Sequence, residues 1–135
     1  MRHASRLIVP ALICSLATAA PAKDFEVLRQ EIAAARQALV TMILHRDMQG
    51  VDQQMQVKAT ADTVSATLAK LQAPAGKEAE FKELKSTWDA FKKTREKELV
   101  PAILRHDRPT YEKIGAGIQK ERLDRMYALI AILGR

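Results

Sequence analysis

The chain has 135 residues and carries 22 Lys and Arg against 16 Asp and Glu, a formal charge of +6. That length suits one domain. The basic residues alternate with acidic ones and form no block, and only 4% of the chain is aromatic, which argues against a nucleic-acid partner. A lone cysteine excludes an internal disulfide, a thiolate metal cluster and a C-x-x-C-H haem attachment.

Residues 1–22 read as an export signal. Arg2 and Arg6 supply the positive start and Leu7–Ala17 the apolar centre. Ala20-Pro21-Ala22 is a small-x-small cleavage site before Lys23, with Thr18-Ala19 as an earlier alternative. The apolar run contains Pro10 and falls short of the ~20 residues of a spanning helix, so cleavage is expected rather than a retained anchor. Cys14 follows the large Ile13, where a lipoprotein signal carries a small residue, so it belongs to the apolar centre. The domain left, residues 23–135, has no cysteine and no membrane span, which fits a bacterial periplasm. Losing Arg2 and Arg6 leaves 20 basic residues against 16 acidic, about +4.

From Asp24, an expected N-cap, apolar residues fall at Phe25, Leu28, Ile32, Ala35, Leu39 and Met42. These alternating steps of three and four are the seam of a bundle helix, which puts Arg46 near its end and a turn at Gly50. Asp52 is the expected cap of a second helix with the seam Val57, Ala61, Val64, Leu68 and Leu71, stopped by Ala73-Pro74-Ala75-Gly76. The third helix carries Phe81, Leu84, Trp88, Phe91, Arg95, Leu99 and Ile103. Its steps lengthen to four after Phe91, so its inner face rotates, and Pro101 cannot donate to the carbonyl of Lys97, so a bend is expected there. That helix should end around Leu104 to His106. Asp107 caps the fourth, with Pro109 in its first turn. Tyr111, Ile114 and Ile118 continue a seam, while Gly115 and Gly117 permit close approach of a helix or ligand. The predicted fold is all-α, an antiparallel up-down-up-down four-helix bundle preceded by a signal peptide.

The stretch Trp88 to Leu133 resembles the four-helix-bundle ligand-binding (sensor) domains of bacterial methyl-accepting chemotaxis receptors. The resemblance is carried by Trp88, Phe91 and Arg95 at the start of the third helix and by Gly117-Ile118-Gln119-Lys120-Glu121-Arg122-Leu123 in a long last helix. It implies a site for a small polar ligand on the bundle helices, often built from arginines of the first and fourth. No second span or signalling region follows Leu133, so the resemblance implies a free-standing exported version. Cytochromes c′ and b562 share the architecture, but the first needs the absent C-x-x-C-H and the second a histidine on the last helix, which has none. No cofactor is expected.

Two constellations are candidates for chemistry. Arg36, Arg95 and Glu121 fall at similar heights if the helices start level. They form either an ion-pair network fixing register or a pocket in which arginine forks a ligand carboxylate. His45 and His106 end the first and third helices, at one pole, where Asp47, Met48, Asp52, Met55 and Asp107 also gather. Imidazole with carboxylate suits zinc, copper or nickel, and thioether adds copper(I). No nucleophile–base pair, phosphate loop or metal-hydrolase motif is present, so an enzyme is not expected.

The expected function is a periplasmic, sensor-like module binding a small polar or anionic ligand non-covalently. The alternative is an interaction protein that dimerises or docks through its C-terminal helix, along Leu123, Met126, Ile130 and Leu133, which face away from Ile114, Ile118, Arg125 and Ile132. A periplasmic metal-binding protein is the lesser alternative. The intact mass of the exported protein should correspond to a chain starting at Lys23; a full-length mass confined to membranes would refute the signal.

Overall fold

The computed structural model describes residues 21–135. Of the expected leader, only Pro21 and Ala22 fall among them, inside the first helix. The rest of that leader, Cys14 included, lies outside the described residues. Among those residues there is no strand, and four helical rods make the fold. The first is α1 (Pro21–Leu44) and the second α2 (Val51–Lys70). The third joins α3 (Glu78–Thr94), a π turn (Arg95–Leu99) and α4 (Val100–Leu104). The fourth joins α5 (Arg108–Ala116) and α6 (Ile118–Leu133). No helix among the described residues is long and apolar enough to cross a membrane.

The seams of the first two rods are buried as their spacing requires, from Phe25 to Met42 on α1 and from Val57 to Leu68 on α2. The caps differ from expectation. Helix α1 already includes Asp24, and α2 starts at Val51 behind an extended Gly50, so Asp24 and Asp52 sit in first turns, where a carboxylate favours the helix dipole. On the third rod, Phe81, Leu84, Trp88, Phe91, Arg95, Leu99 and Ile103 are all buried. Trp88 stacks on Phe91 and donates its indole N–H to Ser65 Oγ at 2.9 Å. A larger core cluster holds Phe25, Leu28, Ile32, Trp88 and Met126, and a smaller one holds Leu39, Met42, Val57, Leu99 and Ile103.

The expected bend near Pro101 takes the form of the π turn. The Val100 N–H reaches the Arg95 carbonyl five residues back, which widens the helix one turn before the proline. The third rod ends where expected. His106 N–H bonds Ile103 O and Asp107 N–H bonds Ala102 O, both at 2.9 Å, with His106 in the left-handed region at φ 57. This pattern is a Schellman cap with histidine in the glycine position. Asp107 then caps α5 by accepting from the Thr110 N–H.

The fourth rod departs most from its seam. It breaks at Gly117, which turns Ile118 out to 45% exposure and brings Gln119 in, 4% exposed. The apolar end is also resolved differently from the proposed dimer face. Met126, Leu129, Ile130 and Leu133 are buried and Leu123 packs against the core, so this stripe serves the bundle and is not free for a partner. Its end lies beside the start of α1, because a Cβ on Gly134 would stand 3.7 Å from Phe25 Cβ.

The two glycines of the break behave oppositely. A Cβ on Gly117 would meet the Lys113 carbonyl at 2.7 Å, whereas one on Gly115 meets nothing within 4 Å. Gly115→Ala should therefore stabilise by up to about 1 kcal/mol, and Gly117→Ala should destabilise by about 1–3 kcal/mol. Urea unfolding of the two variants checks the opposite signs.

Candidate functional site

A groove of about 490 Å³ runs between α1 and the fourth rod. Arg36, Leu39, Val40 and Ile43 form one wall. Tyr111, Gly115, Ala116, Gln119, Lys120, Leu123, Asp124 and Tyr127 form the other. Phe91 and Leu99 of the third rod close its floor. The apolar floor follows from the seams of the first and third rods, and the opening at Gly115 from a residue without a side chain. Cations stand on both walls: Arg36 is exposed and Lys120 is paired with Asp124 one turn on.

Beside that floor, a polar network joins the third and fourth rods. Gln119 donates to the Phe91 carbonyl at 2.9 Å. Arg122 Nη1 donates to Gln119 Oε1 at 3.0 Å, to Thr94 Oγ1 at 2.8 Å and to Ala90 O at 3.3 Å. Both ends of the buried Gln119 amide are thus satisfied.

Arg95 is different. It is 1% exposed and donates from Nη2 to the Val57 carbonyl at 2.9 Å, while Nε and Nη1 have no partner. Burial pushes its pKa down to about 10, so the guanidinium stays charged at neutral pH. Glu96, whose charge opposes that downward shift, is exposed and is itself engaged by Lys92 at 3.6 Å. The other buried side-chain atom without a partner among the described residues, Glu31 Oε2, belongs to a carboxylate held by Thr67. Thr67 stands some ten residues beyond Val57 on α2, about 15 Å along the axis.

The trio Arg36, Arg95 and Glu121 is therefore not a closed network. Arg95 is in the core, Arg36 on the groove wall, and Glu121 exposed and outside the groove lining. The break at Gly117 rotates the seam that was expected to bring Glu121 inward. Lys120, Gln119 and Tyr127 were missed as groove residues for the same reason, although Gly115 signalled the opening.

The histidine pole also divides. His106 lines a hollow of about 340 Å³ with Leu44, Arg46, Arg108 and Tyr111. Asp47 and Met48 line another with Val51 and Asp52. His45 is exposed at the start of a 3-10 turn, Arg46–Met48, and Asp107 is occupied as a helix cap. No three His, Cys, Asp or Glu residues converge on a metal-sized site among the described residues.

No family model, curated protein or solved structure matches the chain.

His106 holds a left-handed backbone that costs a non-glycine residue about 1–2 kcal/mol. His106→Gly should raise the stability by about 1 kcal/mol, measured by urea unfolding. A loss of stability would show that its imidazole makes a stabilising interaction that outweighs this strain.

Proposed function

We propose that the protein is an exported, periplasmic binding module, not an enzyme, whose groove holds a small polar or anionic ligand non-covalently and without a cofactor. The observation that carries this reading is the groove itself, an apolar floor of Phe91 and Leu99 between one wall bearing the exposed Arg36 and another bearing the Lys120–Asp124 ion pair. Such a mix, mostly apolar with a few convergent polar groups, is what small-ligand sites use for affinity and orientation. The rods in this reading run up, down, up and down. Support comes from the bonds Gln53 to Ala38 and Thr67 to Glu31, which descend α1 as α2 advances, and from Lys77, which reaches the Ile132 carbonyl at the far end of α6. A sensor-like role is in keeping with the resemblance of Trp88–Leu133.

The second reading is an interaction protein that pairs with a second copy of itself. Its support has moved from the C-terminal helix to the α1–α2 turn, where Leu44 and Val51 are 69% and 71% exposed beside Met48 and Met55. Large exposed apolar side chains concentrated at one turn would suit such a contact.

Thermal unfolding against amino acids, organic acids and polyols separates the two readings. A groove ligand at 100 times its Kd should stabilise the fold by about 2.7 kcal/mol. Gly115→Leu, which fills the open wall, should remove that shift without unfolding the protein. No shift with any compound, together with a sedimenting dimer that Val51→Glu dissociates, would favour the interaction reading.

A further inference from the structure

We propose that the groove and the His106 hollow are one furrow, and that it holds a linear dicarboxylate with an alkyl middle, one carboxylate on Arg36 and the other on Arg46. This rests on the groove being the ligand site. The continuity is carried by two residues, Ile43 and Tyr111, which line both hollows. On α1 the lining runs from Arg36 through Leu39 to Ile43 in the groove, and on to Arg46 in the hollow. On the fourth rod it runs the other way along the chain, from Tyr127 through Gly115 to Tyr111, and on to Arg108. The two walls advance together, so the hollow continues the groove past the end of α1. Both stand open, since Arg36, Arg46, His106 and Arg108 are all exposed.

The charge is arranged alike at the two ends. At one, Lys120 is neutralised by Asp124 and Arg36 is in no ion pair among the described residues. At the other, Arg108 is neutralised by Glu112 at 2.6 Å and Arg46 is in no ion pair among the described residues. Each end therefore offers one uncommitted guanidinium, whose fork takes a carboxylate by two parallel N–H bonds. Arg46 is steadied for this. Its 3-10 turn is tied back to α1 by Gln49, which donates to the Met42 carbonyl at 2.9 Å, and to α2 by Gln54, which donates to the Gln49 carbonyl at 2.9 Å. Between the two arginines the lining is carbon: Leu39, Val40 and Ile43 on the wall, Phe91 and Leu99 on the floor. Such a surface takes methylenes and leaves a charge or hydroxyl there unsatisfied. The spacing sets the length. Ten residues separate the arginines, about 15 Å along a helix axis. An extended alkyl chain gains about 1.25 Å per carbon at tetrahedral angles, so a diacid of about ten to twelve carbons reaches both.

The test is isothermal titration of the purified protein with butanedioate, decanedioate and dodecanedioate, and with the monoacids decanoate and dodecanoate below their micelle concentrations, all at equal ionic strength. The long diacids should bind about fivefold tighter than the monoacids of equal length, the upper end for one exposed ion pair. Butanedioate, too short to reach both arginines, should bind far more weakly. Arg36→Gln and Arg46→Gln, both at exposed positions, should each weaken decanedioate about fivefold. Arg105→Gln removes the same charge from an exposed position outside both hollows and should leave the Kd unchanged. A monoacid that binds as tightly as its diacid, a loss from only one of the two groove variants, or an equal loss in Arg105→Gln would each overturn the assignment. So would butanedioate binding as tightly as decanedioate, or no diacid binding at all. The groove reading itself would survive any of these if another compound still gave a thermal shift that Gly115→Leu removes, and would fall with the diacid if none did.

Discussion

Pro101 is the constraint from which the irregular half of this bundle follows. Its ring displaces the helix backbone around Lys97 and it brings no N–H to that carbonyl, a defect of about 3 kcal/mol in a regular helix. The chain meets it by widening the preceding turn, where Val100 bonds back to Arg95. A π turn adds one residue without breaking the rod, so the inner face is handed from Phe91 to Arg95 to Leu99 at steps of four instead of drifting to the surface. The alternative, a sharp kink, would have separated the smaller core cluster of Leu99 and Ile103 from the larger one around Trp88. The charge carried into the interior at position 95 comes with this solution.

The same level of the structure is where the fourth rod breaks, and the two irregularities serve each other. The fourth rod turns at Gly117, the only residue type whose backbone can pass the Lys113 carbonyl so closely. The turn presents Gln119 in place of Ile118, and Gln119 bonds the Phe91 carbonyl next to the widened helix. Arg122 completes the arrangement by bonding Gln119, Thr94 and Ala90 at once. Polar groups at this interface are therefore satisfied one by one. Against that background the two unpartnered nitrogens of Arg95 do not reflect loose packing. They are the exception in a region that otherwise meets such demands.

Much of the fold is legible in the sequence because the first two helices keep a regular apolar period. Phe25 through Met42 and Val57 through Leu68 are buried in the order their spacing sets, and Asp107, Pro109 and the end of the third rod are marked by local cap chemistry. Periodicity fails where backbone register changes, because it assumes a constant rotation per residue. The proline signalled a bend but not a π turn. Gly117 was legible as a close approach, but a helix break there moves every later residue around the axis, which is why Ile118 and Glu121 stand outside and the stripe from Leu123 to Leu133 stands inside. Arg95 was legible as a buried charge on a seam. Its lack of a counter-ion was not, because partners across the bundle depend on relative heights that sequence spacing does not fix.

The division of labour between the two core clusters follows from these features. The larger cluster has unbroken helices on every side, an edge-to-face pair of Phe25 and Phe81, and the stacked pair of Trp88 and Phe91. Aromatic pairs of this kind add about 0.5–1.5 kcal/mol each beyond the area they bury. The smaller cluster is capped by a strained His106 and walled by the short α4 and α5, with Tyr111 and Ile114 only partly buried. Regions with fewer buried contacts open at lower free energy than the rest of a fold. Arg95 stands at the boundary between the two, bonded to the Val57 backbone of the smaller cluster and one turn from Phe91 of the larger.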